Sequence, residues 1–279
     1  MSAAWHLLTK KKKEVKMSKN ANVKELIKTA QQRGIISKAS AQSLIVTDIG
    51  EQIQAALGMP ADQMQASEVV LVTMMMDDSG SIRFASNSQA VRDGHNLVIE
   101  ALLASKQNKN ILAHTRYLNG FVLYPYSLLS QTVQMDARNY DPDKGTPLYD
   151  QTMVVLGTVL AKQQEFVENG VPVRAVTLLV TDGHDECSVR NNAKDCANLI
   201  KDMLMQETHI IAAMGIDDGA TDFHEVFKNM GIRDEWILTP DKTQSEIRKA
   251  FRVFSQSAVR ASQSAKTFSQ TALGGFGVN

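Results

Sequence analysis

Eight consecutive residues, Val69 to Met76, carry no charge and no strong polar group, and they run straight into Asp77-Asp78-Ser79-Gly80-Ser81. That junction constrains the fold more than any other feature of the chain. A strand-length run with apolar residues at both odd and even positions has no solvent face, so it belongs inside a parallel sheet covered by helices on both sides. The Asp-x-Ser-x-Ser that ends it then presents oxygen atoms. Alternation along an extended strand or turn sets Asp77, Ser79 and Ser81 on one side, where a carboxylate and two hydroxyls can converge on one point. That donor set suits a hard divalent cation such as Mg²⁺, which takes six oxygen ligands and tolerates retained waters.

Two later segments fit the same arrangement, Gly145-Thr146-Pro147-Leu148 and Val180-Thr181-Asp182-Gly183. The second closes another buried-strand run, Arg174 to Val180, so Asp182 is expected at the same sheet edge as Asp77, with Thr146 adding a third hydroxyl. Taken in this order and at these separations, DDSGSI, GTPLYD and LLVTDG resemble the von Willebrand factor A domain with its metal-ion-dependent adhesion site. The resemblance spans roughly residues 68 to 260. All five positions match: Asp77, Ser79, Ser81, Thr146 and Asp182. A plainer reading, in which Asp77, Ser79 and Ser81 only build a turn and cap the next helix, leaves Thr146 and Asp182 unexplained.

The chain has 279 residues, 43% hydrophobic and 22% charged. That is enough for an α/β core of about 190 residues with flanking segments to spare. Thirty Lys and Arg balance thirty Asp and Glu, so nothing global favours nucleic acid or an anionic membrane. The balance is uneven, with seven lysines against one glutamate in residues 1–24. No apolar stretch has membrane-spanning length, and Lys10 to Lys13 follow the short apolar patch, the reverse of a secretory signal. A cytoplasmic protein is expected, with Cys187 and Cys196 reduced. A zinc site from His184, Cys187 and Cys196 would match no standard spacing and would lack a fourth ligand.

Four regions are expected. Residues 1–19 form a basic disordered leader, and 20–66 an N-terminal helical extension. The A domain covers 67–262, and 263–279 form a flexible tail ending in Gly274-Gly-Phe-Gly-Val278. In the extension, Val23, Leu26, Ile27 and Ala30 give one helical stripe closed by Gly34. A second helix is expected over roughly Lys38 to Leu57, striped by Ile49, Ile53 and Leu57. These helices are expected to cover one edge or end of the sheet, with a separate docking element as the alternative. The body reads as alternating strands and helices, with a hairpin at Leu118-Asn-Gly120 between Ile111–Tyr117 and Phe121–Tyr126. The fold class is therefore α/β: a doubly wound, Rossmann-like, mostly parallel six-stranded sheet with one antiparallel edge strand and helices on both faces. The last helix, from Gln244, turns Ile247, Phe251, Phe254, Ala258 and Ala261 toward the sheet.

The resemblance implies a binding module. In the family the serine and threonine hydroxyls hold the ion, the aspartates act directly or through water, and a partner's Asp or Glu carboxylate completes the site. Mg²⁺ is the implied cofactor, and Mn²⁺ suits the same ligands. Asp78, Tyr140, Tyr149, His184 and Asp185 are the candidate rim residues. Intracellular members commonly serve as adaptors or assembly factors, often with AAA+ ATPases of the MoxR type. Self-assembly through an acidic loop of a second subunit is an alternative. Hydrolysis is disfavoured, because an aspartyl-phosphate phosphatase would want Asp where Ser79 stands and His184 is the lone candidate base. No enzyme activity is expected.

Overall fold

A computed structural model describes residues 22–263 and 274–276; the leader expected at 1–19 lies outside them. The two apolar runs, Val69 to Met76 and Arg174 to Val180, lie in the central strands. Strand β1 (Val69–Met76) is buried along its whole length, as is β4 (Val173–Thr181) beside it. Both pair in parallel, and β1 also pairs in parallel with β2 (Ile111–Tyr117). Beyond β2, β3 (Val122–Leu128) turns back antiparallel through the Leu118–Gly120 hairpin. On the other side β5 (His209–Gly215) and the two-residue β6 (Ile237–Leu238) continue the parallel sheet. The order is β3-β2-β1-β4-β5-β6. Strand order reverses at β1, which sets the β1 and β4 ends side by side at the carboxyl edge, where open α/β sheets bind ligands.

The helices that precede β1 do more than cover an edge. Helix α1 (Val23–Gln32) is as expected, but the second stretch is two helices, α2 (Lys38–Leu44) and α3 (Thr47–Ala56), broken at Ile45-Val46. After β1 come the short α4 (Gly80–Phe84), α5 (Ser88–Leu103) and, beyond β3, the long α6 (Leu148–Glu168). Helices α1 to α3 all pack on α6, and α7 (Ala193–Leu204) flanks it. Polar contacts fix this third layer. Lys162 on α6 is buried, bonding the Met59 carbonyl and pairing with Glu165 at 2.9 Å, while Glu165 accepts from Ala61 N at 2.8 Å. Asp202 on α7 accepts from Ser40 Oγ at 2.6 Å and from Ser37 N at 2.7 Å. The extension is thus part of the folded body, and its stripe residues Ile49, Ile53 and Leu57 are core.

Helix α8 (Phe223–Asn229) lies against β5 and β6, and α9 (Gln244–Gln263) closes the opposite face. The five expected seam residues of α9 are buried, though their principal neighbour is α5 rather than the sheet. No described helix is long and apolar enough to cross a membrane.

One buried group works against stability. Arg116 is fully buried on β2; its Nη2 donates to the Gly120 carbonyl at 3.1 Å and to Gln52 Oε1 at 3.2 Å. Its Nε and Nη1 have no partner among the described residues, and burial alone pulls the guanidinium down to about 10. A buried charge without a counter-ion costs more than a well-packed apolar chain of similar length. Arg116→Met is therefore expected to raise Tm in a circular dichroism melt. A lower Tm would mean that the two Nη2 hydrogen bonds outweigh the desolvated charge.

Candidate metal centre

The site is assembled where β1 and β4 leave the sheet. Asp77 follows the last residue of β1, and its carboxylate, fully buried, is held from three directions. Oδ1 accepts from Ser79 N at 2.7 Å, and Oδ2 from Thr181 Oγ1 at 2.7 Å and Asp182 N at 3.1 Å. Asp77 therefore locks the β1 loop to the end of β4. The Tyr140 hydroxyl donates to the Asp77 carbonyl from below. Asp78 points away: its Oδ1 accepts from Asn119 N at 3.0 Å, and its carbonyl accepts from Asp143 N and Lys144 N. Ser79 and Lys144 form an isolated parallel bridge, so the chain that leads to Thr146 is stitched to the β1 loop.

These restraints bring three oxygens together. Ser79 Oγ and Ser81 Oγ are 2.8 Å apart, and both hydroxyls donate to Asp182 Oδ1, at 3.2 and 2.5 Å. Thr146, also buried, has Oγ1 3.6 Å from where a Cβ on Gly183 would stand, and that hydroxyl makes no hydrogen bond among the described residues. Its backbone carbonyl is occupied, by Glu186 N and Cys187 N. Asp182 is pushed up to about 7, chiefly by burial and then by the Asp77 charge. Asp78 also rises to about 7, chiefly by burial, and burial raises Asp77. The nearest balancing cation, Lys144, is paired with Asp143 at 2.8 Å. Three carboxyl groups are gathered here, and among the described residues none of them is in an ion pair with a protein cation.

That donor set fits a small dication. Ligands at about 2.0–2.1 Å in an octahedron stand about 2.9 Å from one another. The Ser79–Ser81–Asp182 triangle, with edges of 2.5 to 3.2 Å, has the dimensions of one such face. The chemistry is hard oxygen throughout, and among the described residues no three His, Cys, Asp or Glu side chains converge as a metal cluster. Hydroxyls, not a carboxylate cage, would carry the binding. Cys187 is exposed, Cys196 is buried, and both are free thiols.

No protein-family model and no curated protein matches the sequence. Solved structures do match. The pilus adhesin SpaC of Lactobacillus rhamnosus GG, in its open conformation, aligns at TM-score 0.52 and 12% identity over 71% of this chain and 31% of the adhesin. A second crystal form of SpaC gives 0.53 at 12% identity, over 70% of this chain and 31% of the adhesin. Proximal thread matrix protein 1 of the mussel byssus, with a zinc-occupied MIDAS motif, aligns at 0.48 and 16% identity over 69% and 46% of the two chains. The VWA domain of SpRpn10 aligns at 0.45 and 9% identity over 67% and 95%. The fold is that of a von Willebrand factor A domain. This chain spans about a third of the SpaC length, and identities this low carry the architecture alone.

Within this vWA fold the five ligand positions expected from sequence come together at one edge. The rim residues do not all lie on the rim. Asp78 and Tyr140 are buried supports, contrary to expectation, because the Asp143-Lys144 and Asn119 backbones close over the first and the sheet edge over the second. Tyr149 is half-buried, its N–H held by Asp185 Oδ1 at 3.1 Å, and Asp185 also takes the Ser188 hydroxyl at 2.5 Å. Of the five, His184 is the exposed one, 3.9 Å from Glu186.

Sequence reasoning missed several supports. Thr181 braces Asp77, and its place directly before Asp182 at a strand end was the available signal. Asp150, on the first turn of α6, accepts from the backbone of Val189, Arg190 and Asn191 and so fixes the loop that follows Asp182. No pattern in the sequence linked those two segments. Also missed were exposed apolar side chains on the segments that follow the strands at this edge: Phe84 (88% exposed) closing α4, Phe121 (54%) on the hairpin and Val189 (86%) after β4.

Proposed function

We propose that this vWA domain is a metal-dependent protein-binding module. The observation that carries the reading is the Ser79–Ser81–Asp182 oxygen triangle, set among buried and unbalanced carboxylates beside the unbonded Thr146 hydroxyl. Ser79, Ser81, Thr146 and Asp182 would hold Mg²⁺, or Mn²⁺ on the same oxygens, with Asp77 behind them fixing the loops. When bound, the ion supplies a positive centre only partly neutralised by its ligands, to which a partner's Asp or Glu carboxylate is attracted. Phe84, Phe121 and Val189, exposed on the segments that follow β1, β2 and β4, offer apolar surface at the same sheet edge. An adaptor or assembly role inside the cell, including service to an AAA+ ATPase of the MoxR type, follows from the family resemblance and belongs to this proposal.

Added Mg²⁺ at about ten times its Kd should stabilise the fold by about 1.4 kcal/mol, on the order of 3–6 °C in Tm for a domain of this size. Ser79→Ala and Thr146→Ala should lose most of that increment while keeping the wild-type far-ultraviolet spectrum. The same two variants, and wild type in chelator, should fail to retain a partner that wild type retains from native lysate with Mg²⁺. A partner kept under all conditions would reduce the metal to a scaffold. The self-assembly reading instead requires a Mg²⁺-dependent change in size of the purified protein. Hydrolysis of generic phosphate or ester substrates with Mg²⁺ would overturn the binding-module reading.

A further inference from the structure

The chain's last described residues depart from expectation. The Gly-rich end of the tail was expected to be flexible, yet Gly274 to Phe276 lie against the body, beside the turn that leads into β6. Phe276 N donates to the Glu235 carbonyl at 2.9 Å. Its ring meets the indole of Trp236 edge-on, with centroids 5.1 Å apart and an interplanar angle of 72°. Gly275 is in the left-handed region (φ +76°), and a Cβ there would stand 2.5 Å from the Glu235 carbonyl oxygen, so glycine is required on two counts. One backbone hydrogen bond and one ring contact thus hold the segment against the turn that precedes β6.

A groove adjoins the ring. Phe276 forms one wall of a groove of about 520 Å³ that continues along α5 and the second half of α9, past Ala101, Val253, Gln256 and Val259. Trp236 is buried, and its Nε1–H has no acceptor among the described residues, a polar group still to be satisfied. We infer that the Trp236 turn and the flank of α9 form a second binding site, separate from the metal loops, for an extended Gly-Gly-aromatic peptide. The chain's own Gly274–Phe276 is its resting occupant. Ten residues, 264–273, connect that occupant to the end of α9. A linker this short keeps the segment at high effective concentration, so an outside copy competes poorly until the strap is weakened.

The chain has two tryptophans, Trp5 and Trp236, which makes the site readable. In full-length protein carrying Trp5→Phe, Phe276→Ala is expected to red-shift the remaining Trp236 emission as water reaches the indole. Gly275→Val, which keeps the phenylalanine but blocks the backbone path, should do the same. A synthetic peptide of residues 271–279 should reverse the shift saturably in either variant, with chelator present or absent. The same peptide with alanine for its phenylalanine should have no effect. Protein with the intact tail should bind the peptide at least ten-fold more weakly. Emission unchanged by both substitutions, or a shift that the peptide does not reverse while circular dichroism shows an intact fold, would overturn the inference.

Discussion

Asp77→Ala is expected to lower the folding stability by about 3 kcal/mol, measured by urea denaturation in chelator, where no metal contributes. The residue is a joint before it is a ligand. Its carboxylate receives Ser79 N, Thr181 Oγ1 and Asp182 N, and truncation strands all three donors in the interior at about 1–3 kcal/mol each. Part of that loss is offset, because the buried carboxylate is itself costly, as its raised pKa records. Ser79→Ala removes only a hydroxyl that shares Asp182 Oδ1 with Ser81, and it should cost less than about 1 kcal/mol. The contrast decides how the binding proposal is to be tested. Loss of a partner with Asp77→Ala would confound ligand loss with loop collapse, whereas Ser79→Ala and Thr146→Ala remove ligands and leave the joint. A loss of under 1 kcal/mol for Asp77→Ala would show that the loops hold their positions without it.

The second large effect lies at the packing of α9 on α5. Phe251 is fully buried, and Gly94 on α5 faces it so closely that a Cβ at position 94 would stand 2.0 Å from the ring. Phe251→Ala should cost about 4 kcal/mol, the usual range for emptying an aromatic site. Gly94→Ala should cost about 2 kcal/mol by forcing the ring or the helix outward. Contact makes the two changes non-additive: with the ring removed, the new methyl enters space that Phe251 has vacated. The double variant should therefore be at least about 1 kcal/mol more stable than the sum of the single losses predicts. Strict additivity in chemical denaturation would mean that the helices separate to accept a methyl at position 94 and do not meet there as described.

The sheet was legible because its strands lack alternation. Val69–Met76 and Val173–Thr181 show no polar face, and only an interior parallel strand tolerates that. The ligands followed from their places at strand ends. What stayed hidden depended on partners distant in sequence. Tyr140 has the composition of a rim residue, and only the fold shows its hydroxyl beneath Asp77. Asp78 reads like Asp77 until the hairpin brings Asn119 N to it. The break between α2 and α3 at Ile45-Val46 falls in a segment whose apolar spacing continues across it, so periodicity alone joined the two helices. The third layer was misplaced for the same reason, since an amphipathic stripe says that a face is covered and never by what. Phe276 was invisible because its recognition rests on one backbone hydrogen bond and one ring, neither of which leaves a pattern.

Helix α6 is buried on nearly every side, by the sheet, by α7 and by the three N-terminal helices, whereas α9 has α5 as its principal neighbour. The ligand cluster straddles this difference. Thr146 stands two residues before α6, while Ser81 belongs to α4, which leads into α5 and so to α9. The two halves of the cluster are therefore tied to different parts of the body: Thr146 to the side where α6 carries the N-terminal helices, and Ser79 and Ser81, through α4 and α5, to the helix that lines the Phe276 groove.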